Sequence, residues 1–360
     1  MLETTRELLK QEKIDGLLLS SSANIAYLTN YFGFSDTERE AYVLITEKQN
    51  YLFTDRRYTE AVRYLQDISL QEITSDTPFK KLLKDLLQTH SLKVIGIEEQ
   101  DLRVKEYLAI KKLPVTIKPI TLRTLRIKKT TEEIALIQKA CNIGDKALVS
   151  VLKTIKEGMT EKEIGNLLEF EIKQQDAGTS FRPIVAFNEH AAIPHHLTSD
   201  RRLKKNDLIL IDFGAQYKGY CSDMTRTVFF GNPTTAQEKV YQTVLTAQQQ
   251  AVTYLQNELR NKDSGSAAHA DKISREYIES QGYPTIPHSL GHGIGIQVHE
   301  APTLSPKSKD DLTEGMVFSI EPGIYLPGKF GIRIEDLFAI QNKTVVQLTN
   351  SSSTLHVVNE

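Results

Sequence analysis

The second half of the sequence contains one arrangement twice, and this repetition constrains the fold more than any other feature. In each copy, two helix patterns precede an apolar strand that ends at a carboxylate. The segment 208–212 ends at Asp212, and the segment 316–321 ends at Glu321. Residue identity between the copies is low, but the order of elements is the same. Such a duplication predicts an α+β domain with internal pseudo-twofold symmetry.

Helix signals support both copies. Thr130 and Thr160 each stand three residues before a glutamate, which is the spacing of a capping box, and apolar residues at helical spacing follow both. In the second copy, the segments 235–259 and 268–280 have helix patterns, and Gly282 follows the second. The sequence therefore predicts two pairs of helices, one ahead of each set of strands.

The first third of the chain has a different pattern, in which short apolar runs alternate with helix patterns. The expected strands cover 14–20, 42–46, 51–54 and 93–97, and the expected helices cover 55–65 and 78–87. This alternation predicts an α/β unit. A basic stretch from Arg123 to Lys129 then interrupts the apolar pattern. We interpret it as a solvated connector between an N-terminal domain of residues 1–122 and a second domain of residues 123–360.

Composition excludes several functional classes. The net charge is -2, so no basic surplus favours nucleic acid or an anionic membrane as a partner. No apolar run reaches the length of a membrane span. The two cysteines, Cys141 and Cys221, are too few for a disulfide framework, and they do not have the spacing of a Cys-x-x-Cys or metal-ligand motif. We therefore expect a cytoplasmic protein.

Four acidic residues fall at the matched strand ends. Asp212 and Asp223 flank a short loop, and a hairpin would bring both carboxylates to one place. Glu321 precedes a Pro-Gly turn, and the period of the return strand puts Arg333 and Glu335 on one face. Each acid alone could be a surface residue or one half of an ion pair. Because buried carboxylates are costly without partners, the complete set indicates a functional site.

Histidines cluster near these acids. Five of the nine histidines lie in the segments 194–196 and 288–299, where glycines permit close backbone approach and Ile296 and Val298 alternate as a short strand. Four carboxylates and one imidazole make an oxygen-rich site, which suits two divalent ions, with manganese, cobalt or iron at least as suitable as zinc. A water bridging two such ions would lose its proton near neutral pH and become a nucleophile.

Several stretches together resemble the pita-bread metallopeptidase family, which includes prolidase, aminopeptidase P and methionine aminopeptidase. The matching stretches are 193–196, 208–227, 289–302, 321–327 and 331–336. The resemblance covers about the whole chain. It implies an α/β N-terminal domain followed by an α+β pita-bread catalytic domain with an internal pseudo-twofold duplication.

The resemblance implies a centre of two divalent metal ions. The implied ligands are Asp212, Asp223, His292, Glu321 and Glu335. Asp223 and Glu335 would bridge the two ions. Asp212 would hold one ion, and His292 with Glu321 would hold the other. We expect manganese, with cobalt, zinc or iron as alternatives.

The resemblance also implies roles in catalysis and substrate binding. Glu321 would move a proton to the leaving nitrogen, and His299 would hydrogen-bond the scissile carbonyl or its tetrahedral intermediate. His195 would face the substrate, and His288 would form part of the pocket wall. Arg333 would orient the carboxylates, although a plain cross-strand ion pair is a comparable interpretation.

Two further histidines receive no function from the sequence. His196 stands where relatives often carry glycine, and we assign it no role. We interpret His190 as a surface residue.

Among the activities of the family, cleavage of Xaa-Pro bonds is the expected one. Methionine aminopeptidases generally lack an N-terminal α/β domain, and creatine-type amidinohydrolases lack the metal ligands. Many prolidases carry an arginine shortly after the Val-His-Glu segment, where this chain has Thr303. This departure favours an Xaa-Pro aminopeptidase over an Xaa-Pro dipeptidase, the prolidase activity. We expect proline-containing peptides as substrates and a homodimer as the assembly.

One alternative belongs to a different class, a metal-binding relative that has become an interaction module. His195 and His299 argue against it, because a scaffold has no use for proton carriers.

Overall fold

The structure is a computed structural model that describes residues 2–358. The chain divides into two compact units, one ending at Leu125 and the other beginning at Arg126. Among the described residues, no helix has both the length and the apolar character that a membrane crossing requires.

The first unit is built on one six-stranded sheet. Its helices α1 to α4 cover Leu2–Glu12, Ser22–Thr29, Phe79–Thr89 and Val104–Ile110. Its strands β1 to β6 cover Gly16–Leu19, Ala41–Thr46, Asn50–Asp55, Ile68–Ile73, Val94–Glu98 and Thr116–Ile120. The strand order is β4-β3-β2-β1-β5-β6, with β2 antiparallel to both of its neighbours and the other pairs parallel. The predicted α/β unit is therefore confirmed.

Differences from the predicted elements of this unit follow from burial. The strands β4 and β6 lie at the two edges of the sheet and are half exposed, so neither has the continuous apolar run that identified the others. The helix predicted over 55–65 is wrong. Successive turns occupy this segment, as in the bond from the Tyr58 amide to the Asp55 carbonyl at 3.0 Å. Only Val62 is buried there, so packing provides little stabilisation for a short helix.

The second unit contains longer helices and several sheets. Its helices α5 to α8 cover Thr131–Leu152, Glu161–Lys173, Thr235–Lys262 and Ala267–Ser280. Its strands β7 to β12 cover Gly178–Thr179, Ile184–Phe187, Asp207–Phe213, Ala215–Tyr217, Tyr220–Cys221 and Met224–Phe230. Its strands β13 to β17 cover Gly265–Ser266, Gly291–Gly293, Glu300–Leu304, Asp311–Leu312 and Val317–Ile320. Its strands β18 to β22 cover Gly323–Leu326, Phe330–Arg333, Asp336–Gln341, Thr344–Gln347 and Val357–Val358.

The order of these elements shows the duplication predicted from the sequence. The helices α5 and α6 share a hydrophobic core with β8, β9 and β12, which belong to the sheet β22-β12-β9-β8. The helices α7 and α8 pack with the second sheet, β15-β14-β17-β20-β21, in a larger core. The capping boxes predicted at Thr130 and Thr160 are present, and each threonine side chain accepts a hydrogen bond from the backbone amide three residues on.

Two local predictions for this unit are wrong. Part of the basic stretch is buried and paired: Lys129 is 7% exposed, with Nζ 2.6 Å from Glu300 Oε1, and Arg126 also contacts this carboxylate. The stretch is therefore not simply a solvated connector. Ile296 and Val298 do not form a strand but lie in a bend. The backbone here makes a local hydrogen bond, from the Gly295 amide to the Gln297 carbonyl at 3.1 Å, and accepts one from β11, from the Cys221 amide to the Gly295 carbonyl at 2.7 Å.

Candidate metal centre and active site

Strand ends from both copies supply the side chains of the site. Asp212 lies in β9 opposite Thr225 in β12, and Asp223 directly precedes β12. His292 lies in β14, and Glu321 directly follows β17. These positions agree with the strand ends predicted from the sequence.

Backbone hydrogen bonds connect these strand ends. The Glu321 amide donates to the Leu290 carbonyl at 2.8 Å, just before β14. Glu335 lies between β19 and β20, and its amide donates to the Thr225 carbonyl of the first copy at 3.1 Å. The second bond joins the two copies at the site itself.

The side chains converge on His292. Ligand atoms of Asp223, His292 and Glu335 all lie within 4.8 Å of one another. The Nε2 atom of His292 is 3.3 Å from Glu321 Oε1 and 3.6 Å from Asp223 Oδ2. Asp212 is held through Arg333, whose terminal nitrogen lies 2.5 Å from Asp212 Oδ2. The structure thus brings together the acids and the histidine that the sequence singled out.

Close packing of four carboxylates perturbs their protonation. Burial and then the Glu335 charge raise the pKa of Asp223 well above its usual value. Burial and then the Glu321 charge do the same to the pKa of Glu335. The pKa of Asp212 is raised by burial, although the charge of Arg333 opposes this. Like charges in a dry pocket favour protonation unless a cation is present.

His292 and Glu321 form the oppositely charged pair within this group. Burial acts to raise the pKa of Glu321, but the hydrogen bond and charge of His292 lower it to about 2. Burial likewise acts to lower the pKa of His292, but Glu321 and Glu335 raise it to about 9. In the absence of metal, the protonated ring of His292 therefore supplies the positive charge beside these carboxylates.

Unpaired oxygens show that the residues fit a metal centre. Among the described residues, Asp212 Oδ1, Asp223 Oδ1 and Glu335 Oε1 are buried atoms with no hydrogen-bond partner. A buried carboxylate oxygen without a partner costs about 1–3 kcal/mol or more, because it has lost its water. Three such atoms beside one imidazole are the donor set that a hard divalent cation prefers.

A polar network supports the carboxylates from behind. Thr225 is fully buried; its Oγ1 donates to Glu335 Oε2 at 2.7 Å and accepts from Arg333 Nε at 3.0 Å. Arg333 also donates to the Tyr325 hydroxyl at 2.9 Å, which lies 2.9 Å from His288 Nε2. Arg333 therefore contacts the Asp212 carboxylate directly and the Thr225 hydroxyl that donates to Glu335.

The backbone packs closely on the histidine strand. A Cβ atom at Gly291 would lie 2.0 Å from the Ser319 carbonyl oxygen, so only glycine allows β14 to approach β17 here. Ser319 Oγ accepts from the His292 amide at 3.0 Å and lies 3.2 Å from Glu321 Oε1. The predicted close approach is confirmed at Gly291.

Of the three remaining predicted histidines, His195 and His299 are exposed. The His299 ring lies edge-on to the His292 ring, with centroids 4.3 Å apart. Burial and then the charge of His292 lower the pKa of His299, and the charge of His195 contributes. His195 follows Pro194, whose carbonyl accepts from Arg333 at 3.4 Å, so His195 lies next to the site. His288 is half-buried, and burial lowers its pKa.

Sequence reasoning missed some residues of the site and its surroundings. Tyr325 is one of them: its hydroxyl accepts from Arg333 of the neighbouring strand β19 and lies 2.9 Å from His288 Nε2, which is 37 positions away in sequence. The interpretation of His190 as a surface residue is wrong, because it is half-buried with Nδ1 2.8 Å from Glu161 Oε1. His196 contacts the same glutamate at 2.9 Å. No local signal connects these residues.

Comparisons with known proteins agree with this geometry. The model of metallopeptidase family M24 matches residues 135–342, and the creatinase/prolidase N-terminal domain model matches residues 1–128. An Xaa-Pro dipeptidase of Pyrococcus horikoshii is 34% identical over 356 residues, which are 97% of this chain and 96% of the relative.

Solved structures give the same result. The structure of an Xaa-Pro dipeptidase from Bacillus anthracis has a TM-score of 0.91 at 32% identity, covering 99% of this chain and 98% of that chain. The structure of an X-Pro aminopeptidase from Thermotoga maritima has a TM-score of 0.85 at 34% identity, covering 96% of this chain and 98% of that chain.

The fold and the carboxylate-histidine centre define a metallo-exopeptidase. The chain belongs to metallopeptidase family M24, the pita-bread family of dinuclear metal enzymes, in its Xaa-Pro branch with a creatinase/prolidase N-terminal domain. The predicted fold class and family are thereby confirmed.

Proposed function

We propose that this enzyme hydrolyses the Xaa-Pro bond at the N-terminus of peptides, as an Xaa-Pro aminopeptidase. The proposal depends above all on the group of buried carboxylate oxygens without partners around His292. Such a group suits metal-assisted hydrolysis, and proteins similar to this chain include enzymes named for Xaa-Pro substrates.

The proposed metal ligands are the five residues of the converging strand ends. They are Asp212, Asp223, His292, Glu321 and Glu335. Two divalent ions would balance four carboxylate charges, and manganese suits the oxygen-rich set, with cobalt, zinc or iron as alternatives. When bound, such ions polarise a carbonyl and make a water acidic near neutral pH. Asp223 and Glu335 would each contribute a carboxylate to this set.

The residues around the centre would carry the proton and hold the substrate. The hydrogen bond and charge of His292 lower the pKa of Glu321 and favour its carboxylate form. As a general base, Glu321 would accept the proton of the attacking water. It would deliver that proton to the proline nitrogen as the carbon–nitrogen bond breaks. His299 would donate to the carbonyl oxygen of the scissile bond, where negative charge develops. His195, in the segment between β8 and β9, would contact the substrate.

Arg333 and His288 would act as binding residues. Arg333 holds Asp212 in place and contacts Tyr325, which in turn contacts His288. This chain of contacts would form one wall of the substrate pocket. Proline in that pocket has no N–H group, so a site that acts on the carbonyl has an advantage over strand-like pairing.

A dipeptidase is the second candidate, favoured by the names of the relatives. The proteins of Pyrococcus horikoshii and Bacillus anthracis are both named Xaa-Pro dipeptidases. Thr303 favours the aminopeptidase, because it offers no cation for the terminal carboxylate of a dipeptide. It lies in β15 opposite His292, close to the centre. Both candidates use the same metal chemistry and differ in peptide length.

Release of amino acids from Ala-Pro and Ala-Pro-Ala in manganese separates the candidates. An aminopeptidase cleaves the first bond of the tripeptide, whereas a dipeptidase cleaves the dipeptide alone. Glu321→Gln should abolish turnover, and Glu279→Gln, at an exposed position on α8, should leave it unchanged. If neither peptide is cleaved in a chelator-sensitive way, the proposed activity is wrong and the interaction module gains support.

A cytoplasmic homodimer is proposed as the working form. Both cysteines, Cys141 and Cys221, are buried thiols that form no disulfide, which is compatible with a reducing compartment. The homodimer follows from the family resemblance. Light scattering should give about twice the 40.7 kDa mass of the chain, and the mass of one chain would contradict the proposal.

A further inference from the structure

A second polar group lies outside the metal centre, and we name it the Glu161 cluster. It consists of Glu161, His190, His196 and Ser199. Glu161 is the first residue of α6 and is fully buried. Its Oε1 lies 2.8 Å from His190 Nδ1, and its Oε2 lies 2.9 Å from His196 Nε2 and 2.6 Å from Ser199 Oγ. A fully buried acid with these contacts requires a specific explanation.

Backbone amides complete the coordination of this carboxylate. The amides of Phe187 and Ser199 both donate to Glu161 at 2.9 Å. Burial acts to raise the pKa of Glu161, but the bonds from Ser199, His196, Phe187 and His190 hold it below its usual value. Five donors on two oxygens occupy the lone pairs of an ionised carboxylate. Ligand atoms of Glu161, His190 and His196 lie close enough together to hold a metal ion. The five hydrogen bonds, however, leave the Glu161 carboxylate no open position for one.

All five donors come from one segment of the chain, residues 187–199, which we name the His195 loop. The loop has a second anchor on the metal centre, because the Pro194 carbonyl accepts from Arg333 at 3.4 Å. Close packing adds a third: a Cβ atom at Gly331 would lie 1.9 Å from the Ala191 carbonyl oxygen. His195 therefore lies between two anchored neighbours, Pro194 and His196.

His195 itself is exposed. Contacts from other residues of the loop to the rest of the domain are therefore needed to keep the His195 imidazole in one position. We propose that the Glu161 cluster is a positioning site for His195, in which His196 and His190 connect the buried carboxylate to the loop. The inference rests on the proposed function, in which His195 faces the substrate.

The substitution that tests this inference is made at His196, with a matched control. Glutamine can place an amide N–H near the position of the imidazole Nε2, so His196→Gln keeps the donor, whereas His196→Leu removes it. A displacement of about 1 Å in a catalytic group costs up to roughly 100-fold in rate. We therefore expect His196→Leu to lower kcat for an Xaa-Pro peptide about 10-fold with bound manganese unchanged, and His196→Gln to remain within about 2-fold of the parent enzyme.

A double-mutant cycle separates positioning from a general structural role. In a His195→Ala background, His196→Leu should lower kcat by no more than about 2-fold, because the group being positioned is absent. An equal loss in both backgrounds, or no loss in the parent enzyme, would overturn the inference. The inference would also be overturned if His196→Leu bound one metal ion per chain fewer than the parent enzyme, because the cluster would then be a metal site.

Hydrogen exchange tests the same inference without using activity. The amides of Phe187 and Ser199 donate to Glu161 and should exchange slowly in the parent enzyme. Protection of the His195 loop should fall in His196→Leu and be retained in His196→Gln. Unchanged protection in both variants would show that the cluster does not hold the loop. Absence of Xaa-Pro turnover in the parent enzyme would instead refute the proposed function and leave this measurement valid.

Discussion

The hydroxyl of Thr225 connects a proposed metal ligand to a buried arginine, and Thr225→Val removes this group with almost no change of shape. Oγ1 donates to Glu335 Oε2 at 2.7 Å and accepts from Arg333 Nε at 3.0 Å. The other oxygen of Glu335 has no hydrogen-bond partner. The variant therefore leaves the carboxylate without a partner on either oxygen in the metal-free protein, and it frees Arg333 Nε as well.

The magnitude follows from the two interrupted bonds. Each buried group left without a partner costs about 1–3 kcal/mol, and more when it is charged. Loss of a hydrogen bond that orients a metal ligand typically lowers metal affinity about 10- to 100-fold. That range corresponds to about 1.4–2.7 kcal/mol of binding free energy. We expect Thr225→Val to weaken metal binding by this amount and to destabilise the metal-free fold.

Thr227→Val provides the matched control. Thr227 is two residues further along β12 and is also buried, but its Oγ1 bonds only the backbone of Arg333, at 2.9 Å to the carbonyl and 3.3 Å from the amide. It should destabilise the fold by a similar amount and change metal affinity less than about 3-fold. Competition against a chromophoric chelator measures the affinity, and urea unfolding measures the stability. Parent-like affinity in Thr225→Val, or an equal loss in Thr227→Val, would refute the reasoning.

Two further predictions concern protons and buried charge. The pKa of His292 is about 9 in the metal-free protein and that of Glu335 is also raised, so metal binding at pH 7 should release protons and affinity should rise with pH towards 9. Calorimetry in buffers of different ionisation enthalpy measures this release, and a heat independent of the buffer would contradict it. Arg226→Met should lower the free energy of unfolding by about 3–5 kcal/mol, because Arg226 contacts the buried Asp336 at 2.5 Å. Exposed Arg260→Met serves as the control in the same urea titration, and equal effects would contradict this prediction.

Much of the site could be predicted because its residues stand at regular positions along strands. Asp212 and Glu321 end apolar runs, and the period of two around Glu335 brings Arg333 to the same face. The first pair of helices could be predicted equally well, because the capping boxes at Thr130 and Thr160 have a fixed local spacing. Local regularity of this kind is visible in a single sequence.

The rest depends on contacts between distant parts of the chain. Glu161 contacts residues 26 to 38 positions away, and Tyr325 lies 37 positions from His288. No spacing rule connects such partners, so neither the Glu161 cluster nor the contact of Tyr325 with His288 could be predicted. The segment 55–65 shows the opposite error, because its helix-like pattern has almost no buried face to stabilise it.

Two divalent ions at one carboxylate-histidine centre are proposed to drive Xaa-Pro cleavage. The direct measurement is proline-peptide hydrolysis by chelated enzyme during stepwise addition of manganese, with Ala-Pro and Ala-Pro-Ala as substrates. We expect no turnover in the chelated enzyme, and full recovery only at two equivalents of manganese per chain. Turnover that survives chelation, or that is complete at one equivalent, would contradict the two-metal centre.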